Sequence, residues 1–169
     1  MNDFYVRQLG QRGGTCYIGT IMKLKLLLNE DVISTDVSGS TKNEVIAELL
    51  DILVSAGKVT DRETALQDLL LREEKMSTGM QFGVAIPHAK TTAVKELVAC
   101  IGISRSGVDF DSLDGKPSRI FIMTLSSVER TGPHVQFLAE ISKVLKSAAS
   151  REAMLAASSA ADIMKLMGV

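Results

Sequence analysis

The hydrophobic period changes along this chain, and that change constrains its fold more than any other feature. Val45, Leu49, Ile52 and Leu53 fall at helical intervals, as do Ala65, Leu66, Leu69 and Leu70 and, much later, Val135, Leu138, Ala139, Ile141 and Leu145. Between these stripes lie short apolar runs: Val84-Ala85-Ile86, then Glu96 to Ser104 and Ser118 to Ser126, the last two separated by the turn-rich stretch Gly107 to Pro117. Helical and extended segments are interspersed, so the class is α/β in a single domain.

Local signals set the expected boundaries. Thr41 followed by Glu44 is a capping box, which starts a helix that runs to about Ala56 and is closed by Gly57. Asp61 caps a second helix that ends near Glu74. Pro87 stops the Val84-Ala85-Ile86 run, which leaves His88 just past a strand, on a loop. Ala153 to Met167 reads as one last helix. There is no internal repeat.

Composition narrows the functional classes. At 169 residues and 46% hydrophobic content, folding buries about two-thirds of the unfolded surface, enough for one sizeable core. The formal net charge of −1 lacks the broad basic footprint of a nucleic-acid binder. No apolar run approaches the ~20 residues that span a bilayer, so no membrane insertion is expected. Cys16 and Cys100 form neither a disulfide framework nor a zinc motif, which points to a reducing compartment. Residues 1–21 lack the apolar core of a secretory signal and read as an extension outside the domain, either disordered or preceding an alternative start at Met22.

Both histidines sit beside a proline at the edge of a regular element. A neutral imidazole with a lone pair, on a residue with an ordinary pKa of about 6.5, can attack phosphorus without metal or cofactor, and His88 is placed to do so. His134 follows Thr131-Gly132-Pro133 in the first turn of a helix, where backbone N–H groups favour an anion. Arg72, one short loop before His88, carries the guanidinium that suits phosphate oxygens, and Ser77 and Thr78 add hydroxyls beside Gly79. Taken singly, each has an ordinary structural explanation as a turn, a cap or a surface ion pair.

Together, Arg72-Glu73, Ser77-Thr78-Gly79, Gly83-Val84-Ala85-Ile86-Pro87-His88 and His134 before Leu138-Ala139 closely resemble the IIA domain of the bacterial phosphotransferase system, fructose/mannitol type, which includes nitrogen-regulatory IIA proteins. The resemblance runs from about Met22 to Val169 and is most specific in Ala85-Ile86-Pro87-His88. It implies a mixed β-sheet flanked by helices in a cytoplasmic phosphocarrier. It further implies that the counterpart of His88 takes a phosphoryl group from the carrier HPr and gives it to a cysteine of a IIB component. The counterpart of His134 would stabilise the phosphorylated form, and that of Arg72 would lie near the phosphate. Met76 and Gln81 depart from the family pattern, which usually has small residues there, often glycine.

Three functions follow for comparison. The first is phosphotransfer in sugar uptake, and the second is a regulatory IIA protein whose phosphorylation state controls its binding to targets. The third makes His88 and His134 metal ligands with Asp109, Asp111 or Asp114, and has no compact ligand motif behind it. The sequence is compatible with a homo-oligomer and is silent on the sugar served.

Overall fold

The computed structural model describes residues 27–129 and 132–169, except for the side chains of residues 132–135. The extension expected over residues 1–21 lies outside the described residues. After a 3-10 turn at Glu30–Val32 come strand β1 (Ile33–Ser34) and helices α1 (Lys42–Ser55) and α2 (Arg62–Lys75). Strands β2 (Val84–Ala85), β3 (His88–Thr91), β4 (Val98–Val108) and β5 (Ser118–Ser127) follow. Helices α3 (Gly132–Lys146), α4 (Ala148–Ala156) and α5 (Ala160–Met167) end the chain.

The helix starts are written in the sequence. Thr41 accepts the Glu44 N–H while the Glu44 carboxylate reaches back to the Thr41 N–H, the reciprocal capping box expected for α1. Asp61 caps α2 through the Thr64 N–H at 3.1 Å. Gly57 takes φ +67° just beyond α1, the left-handed turn that a residue without Cβ adopts at no steric cost. The expected single helix over Ala153 to Met167 is instead broken. Ser159 caps α5, and the Asp162 carboxylate binds the Ser158 and Ser159 N–H groups, so this pair ends one helix and starts another.

The five-stranded sheet runs β1-β4-β5-β2, with β3 also on β5. β4 and β5 are antiparallel, while β1 lies parallel to β4 and β2 and β3 parallel to β5, so the sheet is mixed. The long β4–β5 pair is its centre. Seven successive residues of β5, Ile120 to Ser126, are buried, which requires cover on both faces. α1 packs against β4 with Ile46, Leu49, Leu50 and Leu53 fully buried, each contributing roughly 1.5–3 kcal/mol. The approach is close enough that a Cβ on Gly102 would stand 2.6 Å from Leu49 Cδ2. At the outer end of β4, Arg105 donates to the carbonyls of Leu155 and Ala157 at 2.6 and 2.8 Å, tethering the end of α4.

Candidate active site

His88 does not lie on a loop. It is the first residue of β3, half-buried, and pairs with Thr124 of β5. Val84 pairs with Ile120 and His88 with Thr124, the same separation of 36 residues, so β2 and β3 are one strand interrupted at Ile86-Pro87 without a change of register. Pro87 interrupts it because it has no N–H to give the ladder. The carbonyl of Pro87 still accepts the Thr124 N–H at 3.0 Å, which holds the line of the strand. A proline ends the pairing pattern for one link and leaves the direction of the chain unchanged, which is why the sequence points to a loop here.

The edge position of this strand matters chemically. Alternate residues of an edge strand turn their backbone groups away from the neighbouring strand, and Ile86 is one of these. Its N–H donates to the Thr78 carbonyl at 3.0 Å, and its carbonyl accepts from His88 Nδ1 at 2.8 Å. A carbonyl can only accept, so the proton of the neutral ring sits on Nδ1 and the lone pair on Nε2. Burial holds the His88 pKa below the ordinary histidine value, and the Arg72 charge acts in the same direction; the bond to Ile86 and the Glu73 charge oppose them without prevailing. The ring is therefore neutral near pH 7.

Arg72 and Glu73 come from the last turns of α2, which packs on β3. The Arg72 guanidinium donates to the Met76 carbonyl at 2.8 Å, at the helix C-terminus. Glu73, which in the sequence stands out only as the neighbour of Arg72, is 7% exposed. Its two carboxylate oxygens accept from the Thr78 N–H at 3.1 Å each, and one takes the Thr78 hydroxyl at 2.6 Å. Lys42 faces it at 3.1 Å and reaches Asp111 at 2.6 Å. Burial pulls the Lys42 ammonium pKa down, yet the bonds to the two carboxylates outweigh this and hold it above the ordinary lysine value. A buried carboxylate with hydrogen-bond partners was legible only as a glutamate beside an arginine, because burial is a property of the packed helix.

Ser77 and Thr78 serve the loop. The Ser77 hydroxyl donates to the Phe110 carbonyl, and Gly79 lies so close that a Cβ would stand 2.6 Å from that same oxygen. His134 falls in the first turn of α3; its side chain lies outside the described residues. The loop between α2 and β2 presents Met76, Met80 and Phe82 to solvent, with Phe82 at φ +65° and its N–H held by Asp114. A groove of about 520 Å³ opens beside Lys42, Glu73, Ser77 and Asp111, and its lining includes neither His88 nor Arg72. Among the described residues, no three His, Cys, Asp or Glu side chains converge to hold a metal ion. The three aspartates of the metal-binding reading are engaged locally: Asp109 accepts the Asp111 N–H, Asp111 pairs with Lys42, and Asp114 accepts the N–H groups of Phe82 and Lys116.

The family described as "Phosphoenolpyruvate-dependent sugar phosphotransferase system, EIIA 2" matches residues 26–168. The chain belongs to this EIIA family. The fructose-specific EIIA component of Haloferax volcanii is 40% identical over 142 residues, which cover 84% of this chain and 88% of that protein. Among solved structures, the nitrogen regulatory protein IIA-Ntr of Neisseria meningitidis superposes with a TM-score of 0.79 at 26% identity, over 85% of this chain and 98% of that one. The mannitol IIA of Escherichia coli, solved in complex with its phosphorylated IIB, has the same fold, with a TM-score of 0.72 at 22% identity over 83% of this chain and 96% of that one. This EIIA chain is thus a fructose/mannitol-type component with the mixed α/β fold of its relatives. No helix among its described residues is long and apolar enough to cross a membrane.

Proposed function

We propose that this EIIA chain is a histidine phosphocarrier in sugar uptake: Nε2 of His88 accepts a phosphoryl group from phospho-HPr and gives it to a cysteine of a IIB component. The observation that carries this reading is the bond from Nδ1 to the Ile86 carbonyl at 2.8 Å, which leaves the lone pair on Nε2. In the first transfer the N–P bond of the donor breaks as the bond from Nε2 to phosphorus forms, and the second transfer exchanges that bond for S–P. Within this chain no residue other than His88 changes its own bonds. Such a site supplies positioning and charge stabilisation. Arg72, whose charge already acts on His88, neutralises the arriving phosphate, and His134, at a helix N-terminus, helps hold it.

The partner surface is the rim of exposed Met76, Met80 and Phe82 on the loop before β2. A chain of this fold has been solved with phosphorylated IIB, which supports a protein acceptor. The compartment in this reading is the cytoplasm. A second reading, in which the phosphorylation state governs binding to regulatory targets, draws on the likeness to IIA-Ntr; the 40% identity to a fructose-specific relative favours transport. Incubation with phosphoenolpyruvate, enzyme I and HPr, followed by intact-mass analysis, tests the carrier role. An acid-labile adduct is expected on the wild type and on His134→Ala and absent from His88→Ala. An unmodified wild type in the presence of a cognate HPr would refute the reading.

A further inference from the structure

We infer that Glu73 is a positioning residue for His88, acting through a chain of hydrogen bonds that begins at Lys42 and ends at Nδ1 of the histidine. This inference rests on the proposed role of His88 as the nucleophile. Lys42 Nζ stands 3.1 Å from Glu73 Oε1, and the Glu73 carboxylate holds the Thr78 N–H at 3.1 Å and the Thr78 hydroxyl at 2.6 Å. The Thr78 carbonyl holds the Ile86 N–H at 3.0 Å, and the Ile86 carbonyl holds His88 Nδ1 at 2.8 Å.

The chain is mechanical. The N–H and C=O of one residue belong to different peptide units, so polarisation does not pass straight through Thr78 or Ile86. What passes is position. Glu73 clamps the N–H and the hydroxyl of Thr78 to helix α2, so the Thr78 carbonyl has a fixed place from which to orient Ile86. Ile86 needs such an anchor because its backbone groups face away from β5 and Pro87 gives no N–H to the ladder. Without it the Ile86 carbonyl is steered by the strand alone, and the ring can exchange its Nδ1–H tautomer for the Nε2–H form, which has no lone pair to present.

The cost of this arrangement shows that it is specific. A carboxylate this deeply buried is expensive without a partner, and the partner is Lys42, which is only 19% exposed and is itself held by Asp111 at the surface. Glu73 also acts on the ring directly, opposing Arg72, its neighbour in sequence. A glutamate needed only to close the loop would not require the lysine.

The test compares wild type, Glu73→Gln, Lys42→Met and the double variant. ¹⁵N NMR of the His88 ring reads the tautomer without any phosphorylation, and single-turnover transfer from phospho-HPr separates the rate at saturation from the concentration needed to reach it. The wild type should show the Nδ1–H tautomer. In Glu73→Gln, whose amide NH2 must face either Thr78 or the Lys42 ammonium, donors both, a mixture of tautomers is expected. The saturating rate should then fall about tenfold, within what misplacement of a reacting group costs, at an unchanged half-saturating concentration. Lys42→Met should move both readouts the same way by less, and should add nothing once Glu73 is Gln. It also stands in should Glu73→Gln fail to fold. A wild-type tautomer and saturating rate in whichever of the two variants folds would overturn the inference. Absence of phosphorylation on the wild type would instead refute the carrier reading, and the tautomer measurement would still decide the role of Glu73.

Discussion

The two strands that bracket the active site differ in how they spend their backbone. β5 is central: it pairs along one side with β4 and along the other with β2 and β3, and its residues from Ile120 to Ser126 are buried. The strand that carries His88 has β5 along one side, only the short bridge of Ala85 to Gly79 on the other, and is cut at Ile86-Pro87. β5 supplies the rigidity, and the open side of the edge strand supplies a backbone carbonyl that can be turned onto an imidazole. A strand paired along both sides has no such group to spare, so the chemistry sits on the strand whose outer side is largely open.

The comparison predicts where substitutions hurt stability and where they hurt function. Phe121→Ala, in the middle of β5 against the Phe110 ring at 5.2 Å between centroids, should lower unfolding free energy by about 3–5 kcal/mol, measured by denaturant titration. If Phe121→Ala cost less than about 1 kcal/mol, β5 would not be the rigid element. Gly79→Ala places a Cβ against the Phe110 carbonyl and the Ser112 hydroxyl. A cost of about 1–3 kcal/mol is expected, with a larger relative loss of phosphoryl transfer than Phe121→Ala shows at equal folded fraction. Equal losses would mean that the loop carries no special role. The smallest effect belongs to Pro87→Ala. The new N–H can regain a ladder bond worth about 0.5–1.5 kcal/mol, offset by about 0.4–1 kcal/mol of added freedom in the unfolded chain. Stability should stay within about 1 kcal/mol of wild type. A large loss would show that proline itself, and not the missing bond, shapes this edge.

Much of this was legible in the sequence, for identifiable reasons. Caps are local chemistry, so Thr41, Glu44 and Asp61 gave the helix starts. The central strands are long apolar runs, and they appear as such in Glu96 to Ser104 and Ser118 to Ser126. The resemblance points to His88, Arg72 and His134, and in the structure the Arg72 charge helps to hold the His88 pKa down. Three things were hidden. The register that continues across Pro87 depends on pairing with β5, a partner more than thirty residues away in the chain. The break at Ser158-Ser159 lies inside a helical pattern and is set by one carboxylate, Asp162. The buried pairing of Glu73 with Lys42 joins two helices, and nothing in either segment marks the other as its partner.

The most direct test of the account is to label the histidine ring nitrogens with ¹⁵N, phosphorylate the protein from phosphoenolpyruvate through enzyme I and HPr, and read by NMR which nitrogen of which histidine bonds to phosphorus. The account predicts that the unmodified His88 ring carries its proton on Nδ1 and that the adduct forms on Nε2 of His88. An adduct on Nδ1, or on His134 while His88 stays unmodified, would contradict it.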